Sequence, residues 1–144
     1  MVNDPPSAMF GRANVDRLLE LIRTNRDSAR VTGIPEGAEA LVLAALARFE
    51  RDAVFVARDD VALERVHAAL AFFAPDVPCL MLPAWDCLPY DRISPRPQIV
   101  GTRLATLATL LDPERQKGFI IATTVSAVLQ RVIPRKTLSA TKYK

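Results

Sequence analysis

The chain has 144 residues, half of them hydrophobic, and a formal net charge of +3. That length suits a single domain with a real core, and the composition excludes disordered and fibrous proteins. No apolar run is long enough to span a bilayer and residues 1–10 lack a signal-peptide pattern, so a cytoplasmic protein with no membrane partner is expected.

The first part of the chain predicts helices and strands in alternation. Residues 1–11 are polar and are expected to be flexible. Apolar residues at helical spacing over 15–22 predict a short helix, 29–34 predicts a short strand, and the Ala- and Leu-rich stretch 38–49 predicts a second helix. The continuous apolar run 53–57 predicts a strand buried on both faces, as in a parallel sheet.

The alternation continues after Asp59 or Asp60, either of which is suited to cap a helix. That helix has an apolar stripe at spacings of three and four, formed by Leu63, Val66, Leu70 and Phe73. The elements predicted beyond it are a strand at 79–82, a helix at 98–111, a strand at 118–122 and a short helix at 126–132. The stripe expected on the helix at 98–111 consists of Val100, Leu104, Leu107 and Leu111.

This order of elements predicts an α/β fold with a mainly parallel sheet flanked by helices. The α/β unit is expected to occupy 12–134. The basic tail 135–144 is predicted to be the start of a following element.

In such a fold, the turn after the first strand is the place to look for a phosphate site. When the phosphate-loop pattern is laid on the chain from Gly33, its second glycine becomes Ala38, its lysine becomes Glu39 and its hydroxyl residue becomes Ala40. Glu39 would repel phosphates and Ala40 cannot ligate magnesium, so a degenerate phosphate loop without ATP or any other cofactor is expected. An active nucleotide-binding or hydrolase domain remains the alternative.

Other chemistry has little support in the sequence. Cys79 and Cys87 are not a close pair and His67 is the sole histidine, so a zinc site would lack ligands. The thiols are expected to be free and at least partly buried. Since no acid–base pair or nucleophile elbow is recognisable either, no catalytic residue and no metal site are predicted.

The stretch 83–97 is the most unusual in the chain, with four prolines and the aromatic residues Trp85 and Tyr90. Neither a helix nor a strand is expected to run through it, and its aromatic side chains need somewhere to pack. It is therefore predicted to be an ordered loop.

The sequence from Leu82 to Pro95, LPAWDCLPYDRISP, resembles a signature near the N-terminus of the bacterial transcription-repair coupling factors (Mfd). The helix with the Arg103-Leu104 pair and the stretch 119–132 are similar to the parts that follow in that family. The resemblance covers about 29–134. It implies a degenerate helicase-like subdomain, similar to domain 1a of the damage-recognition protein UvrB, followed by a truncated subdomain of the UvrA-binding type.

For the parent protein, the resemblance implies an ATP-dependent DNA translocase that displaces stalled RNA polymerase and recruits UvrA for nucleotide excision repair. ATP and magnesium would bind in downstream modules. The chain itself is expected to be a non-catalytic interaction and regulatory module whose partners, besides RNA polymerase and UvrA through the parent, are other modules of the same chain.

Six residues are candidates for such an interaction, since Trp, Tyr and Arg are typical interface anchors. They are Trp85, Asp86, Tyr90, Asp91, Arg92 and Arg103. Simple packing of the loop on the sheet remains an alternative. Another is a DNA-binding surface, because Arg92, Arg96 and Arg103 are suited to weak contact with the phosphate backbone, although the modest charge does not favour a stand-alone nucleic-acid binder.

Overall fold

The structure, a computed structural model, describes residues 30–49, 51–87 and 92–140, together with Arg17, Glu20 and Thr24. The predicted flexible start and the apolar positions of the helix predicted at 15–22 lie outside these residues.

The described residues fold into a small parallel sheet with helices around it. In chain order the elements are α1 (Glu39–Arg48), β1 (Ala53–Ala57), α2 (Asp60–Phe73), β2 (Cys79–Leu82), α3 (Pro97–Leu110), β3 (Ile120–Thr124), α4 (Val125–Leu129) and α5 (Arg135–Ala140). The strands are ordered β1-β3-β2, and both pairings are parallel. The predicted α/β fold with a parallel sheet is confirmed.

One face of the sheet holds the apolar core. The register places Ala53 beside Ile120 and Phe55 beside Ala122, so these side chains point to the same face. Buried alanine, leucine and valine side chains of α1 and α2 pack there, among them Leu70. Burial of this apolar surface is the main stabilising contribution to the fold.

The helix α3 covers the opposite face, because right-handed crossovers from β1 to β2 and from β2 back to β3 run in opposite directions across the sheet. Its predicted apolar stripe is only partly buried. The buried residues of α3 are Arg103 and Thr106. The apolar stripe is thus only part of the buried side of α3, because the polar side chains of Arg103 and Thr106 are buried more deeply than the stripe residues.

The prediction that β1 is buried on both faces is also wrong. Val54 is 61% exposed and Val56 is 46% exposed, whereas Ala57 is buried. The reason is position: β1 is an edge strand of the described sheet, and β3 lies in its centre. A continuous apolar run does not distinguish these two positions.

The short strand predicted at 29–34 is absent from its described part. Residues 30–34 have no regular structure and Val31 is 47% exposed, so this segment buries too little to be held against the sheet. The other boundaries shift by a few residues. The strand predicted at 118–122 is β3, which starts at Ile120, and the helix predicted at 126–132 ends as α4 at Leu129.

The loop between β2 and α3 has neither helix nor strand in its described parts, as predicted. The tail predicted to begin another element contains α5. Among the described helices, none is both long and apolar enough to cross a bilayer.

Candidate functional site

The loop before α1 holds the first residues of the stretch that was aligned with the phosphate-loop pattern. Gly33 and Gly37 have φ angles of 76° and 88°, a left-handed conformation that favours glycine. Ala38 precedes the first helical residue and provides no side-chain cap. The loop-before-helix geometry is therefore present, although no strand of the described sheet leads into it.

The carboxylate of Glu39 fills the start of α1. The N–H of Gly37 donates to Oε2 of Glu39 at 2.7 Å. A helix N-terminus attracts anions through its free N–H groups and its dipole, and here the chain's own carboxylate accepts one of these donors. Any phosphate approaching this loop would have to displace Glu39.

A cavity of about 250 Å³ lies beside this loop, lined by charges of both signs. Glu36 forms an ion pair with Arg65 across it, and Arg58 forms one with the cap residue Asp59 at 3.0 Å. The hydrogen bond from Ala62 lowers the pKa of Asp59. Since both of these arginines already have carboxylate partners, the cavity is not a simple anion site.

In the loop between β2 and α3, which holds most of the candidate interaction residues, Trp85 lies against Arg103 of α3. The guanidinium carbon of Arg103 is 4.4 Å from the centre of the indole ring, a cation–π distance. Arg103 is 1% exposed, and burial lowers its pKa. Among the described residues, its buried Nε and Nη2 atoms have no hydrogen-bond partner, so the contact with Trp85 and one carbonyl bond hold this cation there.

Three successive main-chain carbonyls at the end of β2 accept side-chain hydrogen bonds. Arg103 donates to the carbonyl of Pro83, Thr106 to that of Met81 at 2.6 Å, and Thr123 to that of Leu82 at 2.8 Å. We call the three donors Arg103, Thr106 and Thr123, together with the three carbonyls that they bind, the carbonyl ladder. It fixes the exit of the loop from the sheet by bonds from both α3 and β3.

Two further contacts hold the described parts of the loop. The N–H of Trp85 donates to Oε1 of Gln130 at 2.8 Å, which connects the loop to the end of α4. Asp86 accepts from the N–H of Arg96 at 3.2 Å and forms an ion pair with the Nε of Arg96 at 3.1 Å. Asp86 thus binds the residue from which α3 begins.

The six candidate interaction residues differ in where the structure places them. Trp85, Asp86 and Arg103 come together through the loop and α3, while Tyr90 and Asp91 lie outside the described residues. Arg92 is exposed. Arg103 is buried, so of the three arginines considered for DNA contact it cannot reach a phosphate in this structure.

The sequence reasoning missed Thr106, Thr123 and Gln130, which position the loop. Threonine and glutamine are common on surfaces, so their residue types gave no signal for this role. The side-chain bonds depend on the crossing of α3 over β2, which no local pattern encodes.

The described thiols and acids form no reactive group. Cys79 and Cys87 are free and partly buried, as predicted, and burial raises the pKa of Cys79 to about 11. In the parts of the chain that the structure describes, no three His, Cys, Asp or Glu residues gather as metal ligands would.

Comparison with known proteins gives a consistent picture. The chain is 36% identical to the transcription-repair-coupling factor of Escherichia coli over 85 residues, which is 59% of the chain and 7% of that protein. It is 34% identical to that of Mycobacterium bovis over 105 residues, 70% of the chain and 8% of that protein. For Haemophilus influenzae the figures are 31% over 118 residues, 78% of the chain and 10% of that protein.

No family profile and no solved structure matches the chain. The curated relatives agree in name, and each match covers more than half of the chain. The chain therefore matches a region of the transcription-repair coupling factors.

Proposed function

We propose that this chain is a non-catalytic interaction and regulatory module of a transcription-repair coupling factor. The complete protein would be an ATP-dependent DNA translocase that displaces stalled RNA polymerase and recruits UvrA for nucleotide excision repair. ATP and magnesium would bind in other modules of that protein. The module formed by this chain would contact those other modules.

The shared name of the relatives supports the assignment to DNA repair coupled to transcription. The chain spans a tenth or less of the length of those relatives. Translocation, displacement of polymerase and recruitment of UvrA are therefore proposed for the complete protein, with this chain as one part of it.

The observation that carries the non-catalytic role is the hydrogen bond from the N–H of Gly37 to Glu39. A phosphate loop needs free N–H donors, a lysine near the outer phosphates and a hydroxyl group for magnesium. Here a carboxylate takes a donor and stands in the lysine position, and Ala40, which has no hydroxyl, is fully buried.

The helices that follow the strands support the same conclusion. In parallel α/β proteins, ligands bind at the carboxyl ends of the strands, often on helix N-termini. Asp59 accepts from the N–H of Ala62 at the start of α2, and Thr124 accepts from that of Ala127 at the start of α4. The carboxylate of Asp86 lies before α3. The chain's own oxygen atoms thus occupy donors that a nucleotide would need.

The interaction role rests on the loop between β2 and α3. The carbonyl ladder and Gln130 hold its beginning in place, while Arg92 further along is exposed. A loop whose beginning is held in this way is suited to contact another module at a reduced cost in conformational entropy. Tyr90 and Asp91 remain candidates for the same contact on the sequence alone.

The non-catalytic role is tested by titrating the chain with a fluorescent ATP analogue in the presence of magnesium. We expect no saturable binding tighter than about 1 mM, and no hydrolysis. The same titration of a Glu39→Lys, Ala40→Ser double variant shows whether the two positions account for the loss. Saturable binding to the unmodified chain would support a nucleotide-binding domain instead.

The interaction role is tested in the full-length protein. Arg92→Ala is compared with Arg51→Ala, an exposed arginine at the opposite ends of the strands that serves as the matched control. We expect Arg92→Ala alone to change basal ATPase activity or UvrA binding. Equal behaviour of the two variants, with the fold intact by circular dichroism, would leave the loop with a purely structural role.

DNA contact is the second candidate, and the exposure of Arg92 and Arg96 favours it. The ion pair between Arg96 and Asp86 reduces the positive field there. Binding of duplex DNA at low salt that weakens steeply with added salt, and that is lost in Arg92→Ala, would support this candidate.

A further inference from the structure

The segment that leaves the sheet after β3 exposes an unusual number of apolar side chains. Val128 is 55% exposed, Leu129 is 81% exposed and Val132 is 52% exposed. These residues lie within five positions of one another, at the end of α4 and just beyond it. Contiguous exposed apolar side chains of this kind mark sites of protein contact more often than isolated ones do.

Basic side chains alternate with these apolar ones. Arg131, Arg135 and Lys136 are exposed, and no ion pair between described residues includes them. Every charged residue from Arg115 to Lys144 is basic. The positive charge of this region therefore has no acidic counterpart along its own stretch of chain, although the chain as a whole has nearly balanced charge.

The apolar residues are presented from a well-held support. Thr124 caps α4 through the N–H of Ala127 at 3.3 Å, and Ala127 is buried. At the other end, Gln130 accepts the N–H of Trp85, so the end of α4 is joined to the loop after β2. A surface fixed in this way needs little ordering when a partner binds, which favours affinity.

We infer that the exposed segment 128–136 binds an acidic amphipathic polypeptide segment through Val128, Leu129, Arg131, Val132, Arg135 and Lys136. We call it the α4–α5 surface. The inference rests on the proposed role as an interaction module and specifies the chemistry of a partner. Exposed valine and leucine favour a protein over DNA, because aliphatic side chains gain nothing from a phosphate backbone. The unpaired cations select acidic side chains around the partner's apolar residues.

The test measures binding of a fluorescein-labelled helical peptide with a leucine stripe and glutamate at its other positions. The chain is expected to bind this peptide, and Arg131→Glu/Arg135→Glu is expected to weaken binding by about ten-fold or more. Leu129→Ser should also weaken it, which distinguishes docking from charge attraction alone. Arg51→Glu reverses one exposed charge far from this surface and is the control for charge. It should bind the peptide like the unmodified chain. A Ser126→Ala variant should do the same.

Other outcomes would overturn the inference. Unchanged binding in Arg131→Glu/Arg135→Glu, no effect of Leu129→Ser, or equally tight binding of the lysine counterpart of the peptide would each do so. Duplex DNA binding in place of peptide binding would assign the surface to nucleic acid. Self-association that Leu129→Ser abolishes, measured by analytical ultracentrifugation, would assign it to a second copy of the chain. All these results are independent of the nucleotide titration, so this inference and the non-catalytic role fail separately.

Discussion

The two faces of the sheet are built from different chemistry. Against α1 and α2, the contacts are almost entirely apolar, and Leu63 and Leu70 are buried between helix and strands. Against α3, the buried side chains are Arg103 and Thr106, which bind main-chain carbonyls of β2 and of the residue after it. The same strands thus support a conventional core on one side and a set of directed hydrogen bonds on the other.

The difference indicates what each face contributes. Apolar burial is non-directional and stabilises any well-packed arrangement, whereas hydrogen bonds to chosen carbonyls contribute little net free energy and fix position. The apolar face therefore accounts for most of the stability. The polar face determines where the loop with Trp85 leaves the sheet.

The largest expected effect is that of Leu70→Ala on the apolar face. Leu70 is 1% exposed, and such truncations typically cost about 2–5 kcal/mol of unfolding free energy. Phe72→Ala, on the same helix but highly exposed, is the control and should cost far less. Urea unfolding of both variants measures the difference, and equal losses would contradict the division between the faces.

A smaller loss is expected for Thr106→Val on the polar face. The variant keeps the shape of the side chain but removes the bond to the carbonyl of Met81, at a cost of about 1 kcal/mol. Thr109→Val is the matched control, since Thr109 is exposed and bonds only to the preceding turn of α3. A loss as large as that of Leu70→Ala would show that the polar face carries the stability too.

Arg103→Met is expected to change stability still less, within about 1 kcal/mol in either direction. The methionine removes a buried cation that has two nitrogen atoms without partners in the described part of the chain, which offsets the loss of the bond to Pro83. Trp85 fluorescence should nevertheless shift, because the cation leaves its ring. A loss of more than about 3 kcal/mol would mean that a partner beyond the described residues compensates the charge.

The last prediction concerns the reactivity of a thiol, and no change in the free energy of unfolding is expected. Cys79 packs against the apolar face, and burial raises the pKa of its thiol to about 11 from the ordinary value of 9.0. The experiment uses the Cys87→Ala variant, so that the measured reaction is that of Cys79. At a pH below both values, the raised pKa makes the fraction of Cys79 present as thiolate about 100-fold smaller in the folded chain than in the unfolded chain. Iodoacetamide at pH 8 should therefore react with folded Cys79 about 100-fold more slowly than with the chain unfolded in urea. Similar rates in both conditions would mean that the face opens readily.

The sequence predicted the apolar face well and the polar face poorly, for a physical reason. Leu63, Val66 and Leu70 of the predicted α2 stripe are buried as their spacing indicates, but the prediction is wrong for Phe73, which lies at the end of the helix and is 37% exposed. The corresponding stripe of α3 is only partly buried, because hydrophobic periodicity identifies apolar contacts and is silent about directed polar ones. The exposure of Val54 depends on strand order, which a local pattern does not contain.

The candidate site shows the same division. The departures from the phosphate-loop pattern at Ala38, Glu39 and Ala40 were readable because that pattern has fixed positions in sequence. That Glu39 turns back to the N–H of Gly37 was not, since this depends on the left-handed conformation of Gly37. The burial of Arg103 beneath Trp85 was likewise hidden, because arginine is usually found on the surface.

The hydrogen bond of Glu39 also has a consequence for folding. The carboxylate stabilises the start of α1, where no side chain of Ala38 can do so. Replacing it by the lysine that nucleotide binding requires would remove this bond and place a positive charge at the positive end of the helix dipole. Glu39→Lys is therefore expected to destabilise the start of α1 whatever its effect on ligand binding, so the residue that nucleotide binding requires at this position is one that this loop and helix disfavour.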